Sequence, residues 1–435
     1  MKKSILLFAL LVALAAPESF AQTALPQLAD DHTMFCVTPQ YSDNNPTYVT
    51  GYTLFQKSHS DYDRAKDLCV SYWSIPNTYD KTSAEVYFTI EVDGGSATYY
   101  DTWTFLTAQL TGGFKQIRVQ GTLDFGDATD YTDPDVTCKS FEENNLAFQG
   151  ESFDVNEGGG FSGDANSSIQ HICYVGNETS ISFVNVVSAM CSGAQNLTFD
   201  NVYFKSTNSG SGSVGILSNN DMLPLSFIRV FNSRFEGSTV GAIVGNTSKS
   251  VSDLHVENVV VAATGGSGFD VYAGGVAGYL GGDSKNDTLV NVQVVDNGDV
   301  IGDLVDDGYG NVEPRGGSKY IGGFAGYGQI AEMNGLLMEN VTVSVDGKAQ
   351  SADDEMGTGS GGEMYVGGAV GRLDFAVVAS TNVSNVSAKE VSVNVKGDAI
   401  GYSFDDYDYS GRAYVGGFWG YVKGVDNGSM IEYYG

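Results

Sequence analysis

The residues best placed to do chemistry are acidic, and they lie in three segments of the second half of the chain. Residues 296–319, 346–364 and 397–413 are rich in Asp and Glu. Two groups of aspartates there could supply the hard oxygen ligands that calcium prefers: Asp303, Asp306 and Asp307 beside Gly308, and Asp405, Asp406 and Asp408. Neither group has the full spacing of a calcium-binding loop, and acidic loops are also typical of solvated surface. Calcium binding is therefore one of two interpretations.

Four tyrosines form a second candidate site. Each lies two residues before a pair of glycines: Tyr272, Tyr320, Tyr365 and Tyr414. Because their surroundings repeat, we expect the four rings to stack in one column. A column that faced solvent would offer flat rings to the sugars of a polysaccharide. A column packed beneath the acidic loops would instead be structural.

Catalysis has weaker support in the sequence. Hydrolysis or elimination of a glycan needs paired carboxylates, or a carboxylate-bound calcium with a basic side chain. The four histidines are scattered and match no metal-binding or nucleophile motif: His32, His59, His171 and His255. Arg234 is the only charged residue in its predicted outward column. We therefore expect a non-catalytic protein, with a polysaccharide lyase or hydrolase as the alternative.

The elements that must position these residues recur along the chain. A five-residue glycine motif begins at Gly241, Gly274, Gly322, Gly367 and Gly416. A second element alternates with it and begins at Asn201, Asn232, Asn258, Asn291, Asn340 and Glu390. The step from the glycine motif to the second element is nearly constant, whereas the return step varies. Insertions therefore enter at one corner of a repeated unit, as in a solenoid.

Alternation within the second element predicts which side chains face the core. Two columns should point inward: Val202, Ser233, Val259, Val292, Val341 and Val391, then Phe204, Phe235, Val261, Val294, Val343 and Val393. Stacked repeats would join each column into a ladder inside a hydrophobic tube. The Asn column is typical of a turn ladder with left-handed dihedrals and amide bonds between repeats. N-glycosylation at sequons such as the one at Asn340 is the alternative for these residues.

The glycine motifs carry a resemblance to a known family. Residues 320–327 read Y-I-G-G-F-A-G-Y and residues 414–421 read Y-V-G-G-F-W-G-Y, which resembles the GLUG motif of bacterial surface proteins. The likeness covers residues 214–421, although Phe, Val or Ala replace the Leu of the usual G-G-L-V-G core. It implies a right-handed parallel β-helix in an extracellular stalk or adhesin, and it brings no catalytic residues with it.

Charge and the first residues indicate export. The chain carries 53 Asp and Glu against 22 Lys and Arg, a formal charge of -31, which argues against nucleic acid or an anionic membrane as partner. Residues 1–21 have the basic start, short apolar run and small residues of a signal peptide. We therefore expect an extracellular or outer-surface protein that does not insert into a membrane.

Five cysteines suit an oxidising compartment and are disulfide candidates: Cys36, Cys69, Cys138, Cys173 and Cys191. Their spacing does not favour a zinc site, and we expect Cys36 to pair with Cys69 and two of the other three to pair together.

The predicted fold is all-β, a right-handed parallel β-helix with an N-terminal cap. Residues 22–113 form the N-terminal segment and cap, with a short amphipathic helix at residues 103–110 and a further short helix at residues 61–69. Residues 114–435 form the β-helix. No cap is recognisable after the last glycine motif, so we expect a longer gene product, with coverage of this edge by another chain as the alternative. The expected function is a secreted or cell-surface adhesion or structural module, with polysaccharide as the candidate ligand, and calcium as the candidate ion.

Overall fold

The computed structural model describes part of the chain. The described residues are 35–42, 45–56, 87–97, 116–124, 130–133, 160–163, 167–170, 172–183, 194–208, 212–220, 224–306, 312–352, 362–375, 382–404, 407–409, 411–426 and 429–434. The predicted signal peptide at residues 1–21 and the two predicted helices at residues 61–69 and 103–110 lie outside them. Every element with described bounds is a β-strand. Within these ranges no helix has the length and apolar character needed to cross a membrane.

The largest sheet, sheet A, has 19 strands. Its early strands are Phe35–Ser42, Asn45–Gln56, Tyr87–Ala97, Gln116–Asp124, Gly160–Ser162, Ser168–Gln170, Cys173–Gly176, Ala194–Asp200 and Tyr203–Ser206. Its later strands are Leu225–Phe231, Arg234–Gly237, Val251–Ser252, His255–Ala263, Ser284–Lys285, Thr288–Asp296, Glu332–Asn334, Leu337–Val345, Asn382–Ser384 and Ser387–Val395. The first two strands pair antiparallel, and the later ones pair in parallel.

Three further sheets follow the same repeats. Sheet B contains Ser180–Ile181, Ser213–Val214, Thr239–Gly241, Val271–Gly274, Lys319–Gly322, Glu363–Gly367 and Arg412–Gly416. Sheet C contains Leu217–Asn220, Val244–Thr247, Ala277–Leu280, Ala325–Gln329, Val370–Asp374, Trp419–Asp426 and Ser429–Tyr434, the last of them antiparallel. Sheet D contains Gly266–Ser267, Val300–Ile301, Ala349–Gln350 and Ala399–Ile400.

Pairing joins equivalent positions of successive repeats. In sheet A, Val292 lies opposite Val259 on one side and Val341 on the other. In sheet B, Tyr320 lies opposite Tyr272 and Tyr365. The described part of the chain is therefore all-β and dominated by parallel sheets whose strands come from successive repeats.

The predicted inward columns form the core. Members from Val202 to Val343 are buried, whereas Val391 and Val393 of the last repeat are half-buried. Ser233, the polar member, is buried because its hydroxyl replaces a missing backbone partner. Its Oγ accepts a hydrogen bond from the Val202 N–H at 2.9 Å and donates to the Phe231 carbonyl, so the buried hydroxyl and the Val202 N–H are both hydrogen-bonded.

The asparagine ladder is confirmed. Asn232, Asn258, Asn291 and Asn340 have φ between 49 and 55°, the left-handed region that Asn tolerates. The amides of the last three donate to the oxygen of the preceding member, at 3.2 Å from Asn258 to Asn232, 3.0 Å from Asn291 to Asn258 and 2.7 Å from Asn340 to Asn291, and the Asn232 amide donates to Asp200 at 2.8 Å. The ladder thus fixes one corner of every repeat.

A second left-handed column lies five residues earlier, and the sequence did not reveal it. Its members are Asn196, Phe227, Asp253, Asn286, Gly335 and Asn385. One amide bond joins neighbours here, from Asn286 to Asp253 at 3.2 Å, and the Asn385 amide donates to Asn334, the residue before Gly335, at 2.9 Å. Asn recurs at three of these six positions, but Phe, Asp and Gly at the other three interrupt the pattern.

Asp287 is a buried acid at a turn of this core, and its ionisation opposes folding. Its Oδ1 accepts from the Leu254 N–H at 3.0 Å and its Oδ2 from the Ser284 hydroxyl at 2.7 Å. Burial raises the pKa of the carboxyl to about 7. Between about pH 4 and pH 7 the unfolded chain therefore loses this proton while the folded chain keeps it.

We expect the free energy of unfolding to fall as pH rises through that window, by up to about 4 kcal/mol from this group. Asp287→Asn keeps an oxygen for the Leu254 N–H and cannot ionise, so its stability should depend less on pH. Urea unfolding of both proteins at pH 4.5 and pH 7.5 measures the difference. Equal pH slopes in the two proteins would contradict the assignment.

Candidate binding surface

The four predicted tyrosines stack in one column on sheet B, as expected. Ring centroids lie 4.7 Å apart for Tyr272 and Tyr320, 5.0 Å for Tyr320 and Tyr365, and 4.9 Å for Tyr365 and Tyr414. The ring planes differ by 10° or less. In-register parallel pairing brings the equivalent tyrosines together at this spacing.

A second column runs beside the first on sheet C. It consists of Tyr279, Tyr327, Arg372 and Tyr421, which occupy paired positions in successive repeats. Tyr279 stacks on Tyr327 with centroids 5.0 Å apart. Edge-to-face contacts join the two columns, for example between Tyr320 and Tyr327 at 5.7 Å. We call the two columns together the tyrosine belt.

Stacking determines which part of each ring can meet a ligand. Tyr320 and Tyr365 have a neighbouring ring on both faces and are only 8% and 3% exposed. No flat face of these two rings is open to a sugar. Tyr320 and Tyr365 therefore fit the interpretation of a packed, structural column. Tyr272, Tyr279, Tyr327 and Tyr414 are half-buried. Any contact with a ligand would therefore use hydroxyls and ring edges.

Polar side chains hold the tyrosine hydroxyls in place. The Tyr327 hydroxyl donates to Asp374 at 2.7 Å, and the Tyr279 hydroxyl donates to Gln329 at 3.0 Å. The Tyr365 hydroxyl donates to Glu363. Burial, and then the hydrogen bond to Glu363, raises the pKa of the Tyr365 hydroxyl above its usual range. It therefore stays a protonated donor at any ordinary pH.

Arg372 takes the place of a tyrosine in the second column. Its guanidinium carbon lies 5.5, 5.3 and 5.4 Å from the ring centroids of Tyr327, Tyr365 and Tyr421, within the range of cation–π attraction. Two of its nitrogens each donate to Asp374 at 3.0 Å. The belt thus combines neutral hydroxyls, carboxylates and one guanidinium along a single surface.

Protein-family models, curated proteins and solved structures show no match to this chain. A function for this chain is therefore inferred from the chemistry of the tyrosine belt.

The acidic segments include two β-hairpins. Asp303–Asp306 pairs antiparallel with Val312–Arg315, and Tyr402–Phe404 pairs with Tyr407–Tyr409. Asp303 is exposed. Asp306 and Asp408 lie on these strands, while Asp307, Asp405 and Asp406 fall outside the described residues. Among described side chains, no three acids, histidines or cysteines are grouped to hold a metal ion, and calcium binding stays a prediction.

The other predicted site residues have structural partners or lie outside the description. Arg234 pairs with the buried Glu236, which also contacts Lys205 at 2.8 Å. His255 contacts Glu257 at 2.9 Å. Cys173 is disulfide-bonded. Side chains of Cys36, Cys69, Cys138 and Cys191 are outside the described set, so the predicted pairing is untested.

Sequence reasoning missed the second column of the belt. The signal was present, because Tyr279, Tyr327, Arg372 and Tyr421 each follow the last glycine of the five-residue motif. Alternation places that position outward, beside the first tyrosine column. The recurrence of tyrosine at this position is hard to recognise because one repeat has Arg372 instead.

Proposed function

We propose that this chain is an exported right-handed parallel β-helix that serves as a non-catalytic adhesion or structural module and binds a polysaccharide along the tyrosine belt. The stacked parallel sheets and the asparagine ladder favour the β-helix. The resemblance of residues 320–327 and 414–421 to GLUG motifs favours a surface protein. The signal sequence at residues 1–21 favours export.

One observation favours a polysaccharide as the ligand: the tyrosine belt presents similar groups in successive repeats. Tyrosine hydroxyls and their polar partners recur over successive repeats, with ring centroids 4.7 to 5.0 Å apart. A surface that presents the same groups at regular intervals suits a ligand that also repeats, and this spacing is comparable to the rise of one sugar in an extended polysaccharide. The formal charge of -31 disfavours polyanions, so a neutral or cationic glycan fits best.

Glycan binding is tested with a variant that lacks two tyrosine hydroxyls of the belt but keeps their aromatic rings. Tyr279→Phe/Tyr327→Phe retains the stacked pair but loses the bonds to Gln329 and Asp374. We expect binding to weaken by about tenfold, the value of one or two hydrogen bonds, with little change in Tm. Affinity electrophoresis through gels that contain xylan, β-glucan or soluble chitosan measures the binding.

Tyr203→Phe is the matched control, because the Tyr203 hydroxyl, like that of Tyr327, contacts an acid, Glu236 at 3.0 Å, but Tyr203 lies on sheet A. The control should bind like the parent protein. Equal retardation of the parent and the double variant, or no retardation of the parent by any glycan, would count against the proposal. Shortening of the polymer during incubation would favour a hydrolase or lyase instead.

A further inference from the structure

Lys319 and Asp296 form an ion pair inside the apolar core. Both side chains are 0% exposed, and Lys319 Nζ lies 2.6 Å from Asp296 Oδ2. Lys319 belongs to the inward column of sheet B, between Val271 and Met364. Asp296 belongs to an inward column of sheet A, between Ala263 and Val345. The two side chains therefore meet across the interior of the protein.

The surroundings of the pair are apolar. Val300, Ile321, Val345 and Met364 belong to the same buried apolar cluster. Separated charges are costly in such a medium, whereas an amine and a carboxylic acid are not. Burial, only partly offset by Lys319, raises the pKa of the Asp296 carboxyl to about 6. Transfer of one proton from Nζ to the carboxylate along their 2.6 Å contact would leave an amine beside a carboxylic acid, which is a nucleophile beside an electrophile.

The backbone of Gly298 orients the pair. Its carbonyl oxygen accepts a second hydrogen bond from Lys319 Nζ at 2.6 Å, and its N–H donates to Asp296 Oδ1 at 3.2 Å. The first contact holds the amine against the carboxyl. The second places a donor on the oxygen that would gain negative charge if Nζ added to Cγ, as in an oxyanion hole. Fixed contact of this kind replaces a bimolecular encounter.

We propose that Lys319 and Asp296 condense in the folded protein to an intramolecular isopeptide bond. The Nζ lone pair adds to Cγ of the neutral carboxylic acid, and an amine proton passes along the existing hydrogen bond to Oδ2. The Cγ–Oδ2 bond then breaks, water leaves, and an amide remains. The step is a dehydration, so it needs no oxidant or reductant. The product is uncharged, which removes the cost of a buried ion pair.

The bond would close a loop at the variable corner. Residues 297–318 lie between the two partners and include the hairpin formed by Asp303–Asp306 and Val312–Arg315. An amide at the base of this insertion would tie sheet A to sheet B covalently. The hairpin could then be cut or pulled without separating the repeats that flank it. Such a bond suits a protein that bears load outside the cell, but its chemistry does not depend on the proposed glycan binding.

Mass spectrometry tests the bond directly. After reduction of disulfides and denaturation, we expect the folded-and-incubated protein to be lighter than its sequence by one water molecule. A protease digest should yield one branched peptide that joins Lys319 to Asp296. The matched control is Asp296→Val/Lys319→Met, which carries the residue types of the next repeat, Val345 and Met364, and should show its full sequence mass.

A conservative variant adds a second readout. In Asp296→Asn the leaving group becomes ammonia, so the same condensation should lower the mass by one ammonia molecule instead of one water. Circular dichroism establishes that each variant is folded. A folded parent protein with its full sequence mass and no branched peptide would overturn the proposal and leave an ordinary ion pair.

Discussion

Gly323→Ala is expected to lower the free energy of unfolding by about 3 kcal/mol. A β-carbon on Gly323 would lie 2.1 Å from the Gly368 carbonyl oxygen and 2.8 Å from Cγ1 of Val341. The first neighbour is backbone, so a rotamer change cannot relieve the contact. Two strands of adjacent repeats would have to separate, and the hydrogen bonds between repeats would weaken with them.

Gly417→Ala is the matched control for this prediction. Gly417 is the equivalent second glycine of the last motif, and an added β-carbon there meets no atom within 4 Å. The same chemical change should therefore alter stability by no more than about 0.5 kcal/mol. Urea unfolding followed by circular dichroism measures both variants. If the two lose equal stability, close backbone approach is not what these glycine pairs provide.

The sequence was sufficient to predict a structural feature where one residue type recurs at the same position of successive repeats. Alternation placed Val292 and Val341 inward, and the recurring Asn predicted both the left-handed dihedrals and the amide ladder. The tyrosine column was predictable for the same reason. In each case a repeated environment imposes one physical requirement in every repeat, and a single type of side chain meets it.

Features that occur once could not be found in this way. Arg372 substitutes for a tyrosine in one repeat only and is held there by Asp374. The exposure of the rings was also beyond the sequence, because both faces of Tyr320 and Tyr365 are covered by rings from neighbouring repeats. Lys319 and Asp296 lie at inward positions that hold apolar residues in the following repeat, so their partnership depends on which inward columns meet across the core.

Substitutions in the Lys319–Asp296 pair are also expected to change the free energy of unfolding. Lys319→Met alone removes the amine and leaves Asp296 buried beside apolar side chains. Breaking a buried pair by removing one partner typically costs about 3–5 kcal/mol, whereas replacing both partners with apolar residues is often neutral or favourable. We therefore expect Lys319→Met to be less stable at pH 7 than Asp296→Val/Lys319→Met by about 3–5 kcal/mol.

The comparison isolates the unpaired carboxylate, because neither variant can form the proposed amide. The pKa of an unpartnered Asp296 should rise above its value of about 6 in the pair, since burial alone then acts on it. Lowering the pH towards 5 would protonate the carboxyl in the folded chain and should bring the single variant closer to the double variant. Urea unfolding of the two at pH 5 and pH 7.5 measures this. If the two variants have equal free energies of unfolding at pH 7.5, or if the difference between them does not become smaller at pH 5, then the Asp296 side chain reaches water once Lys319 is removed.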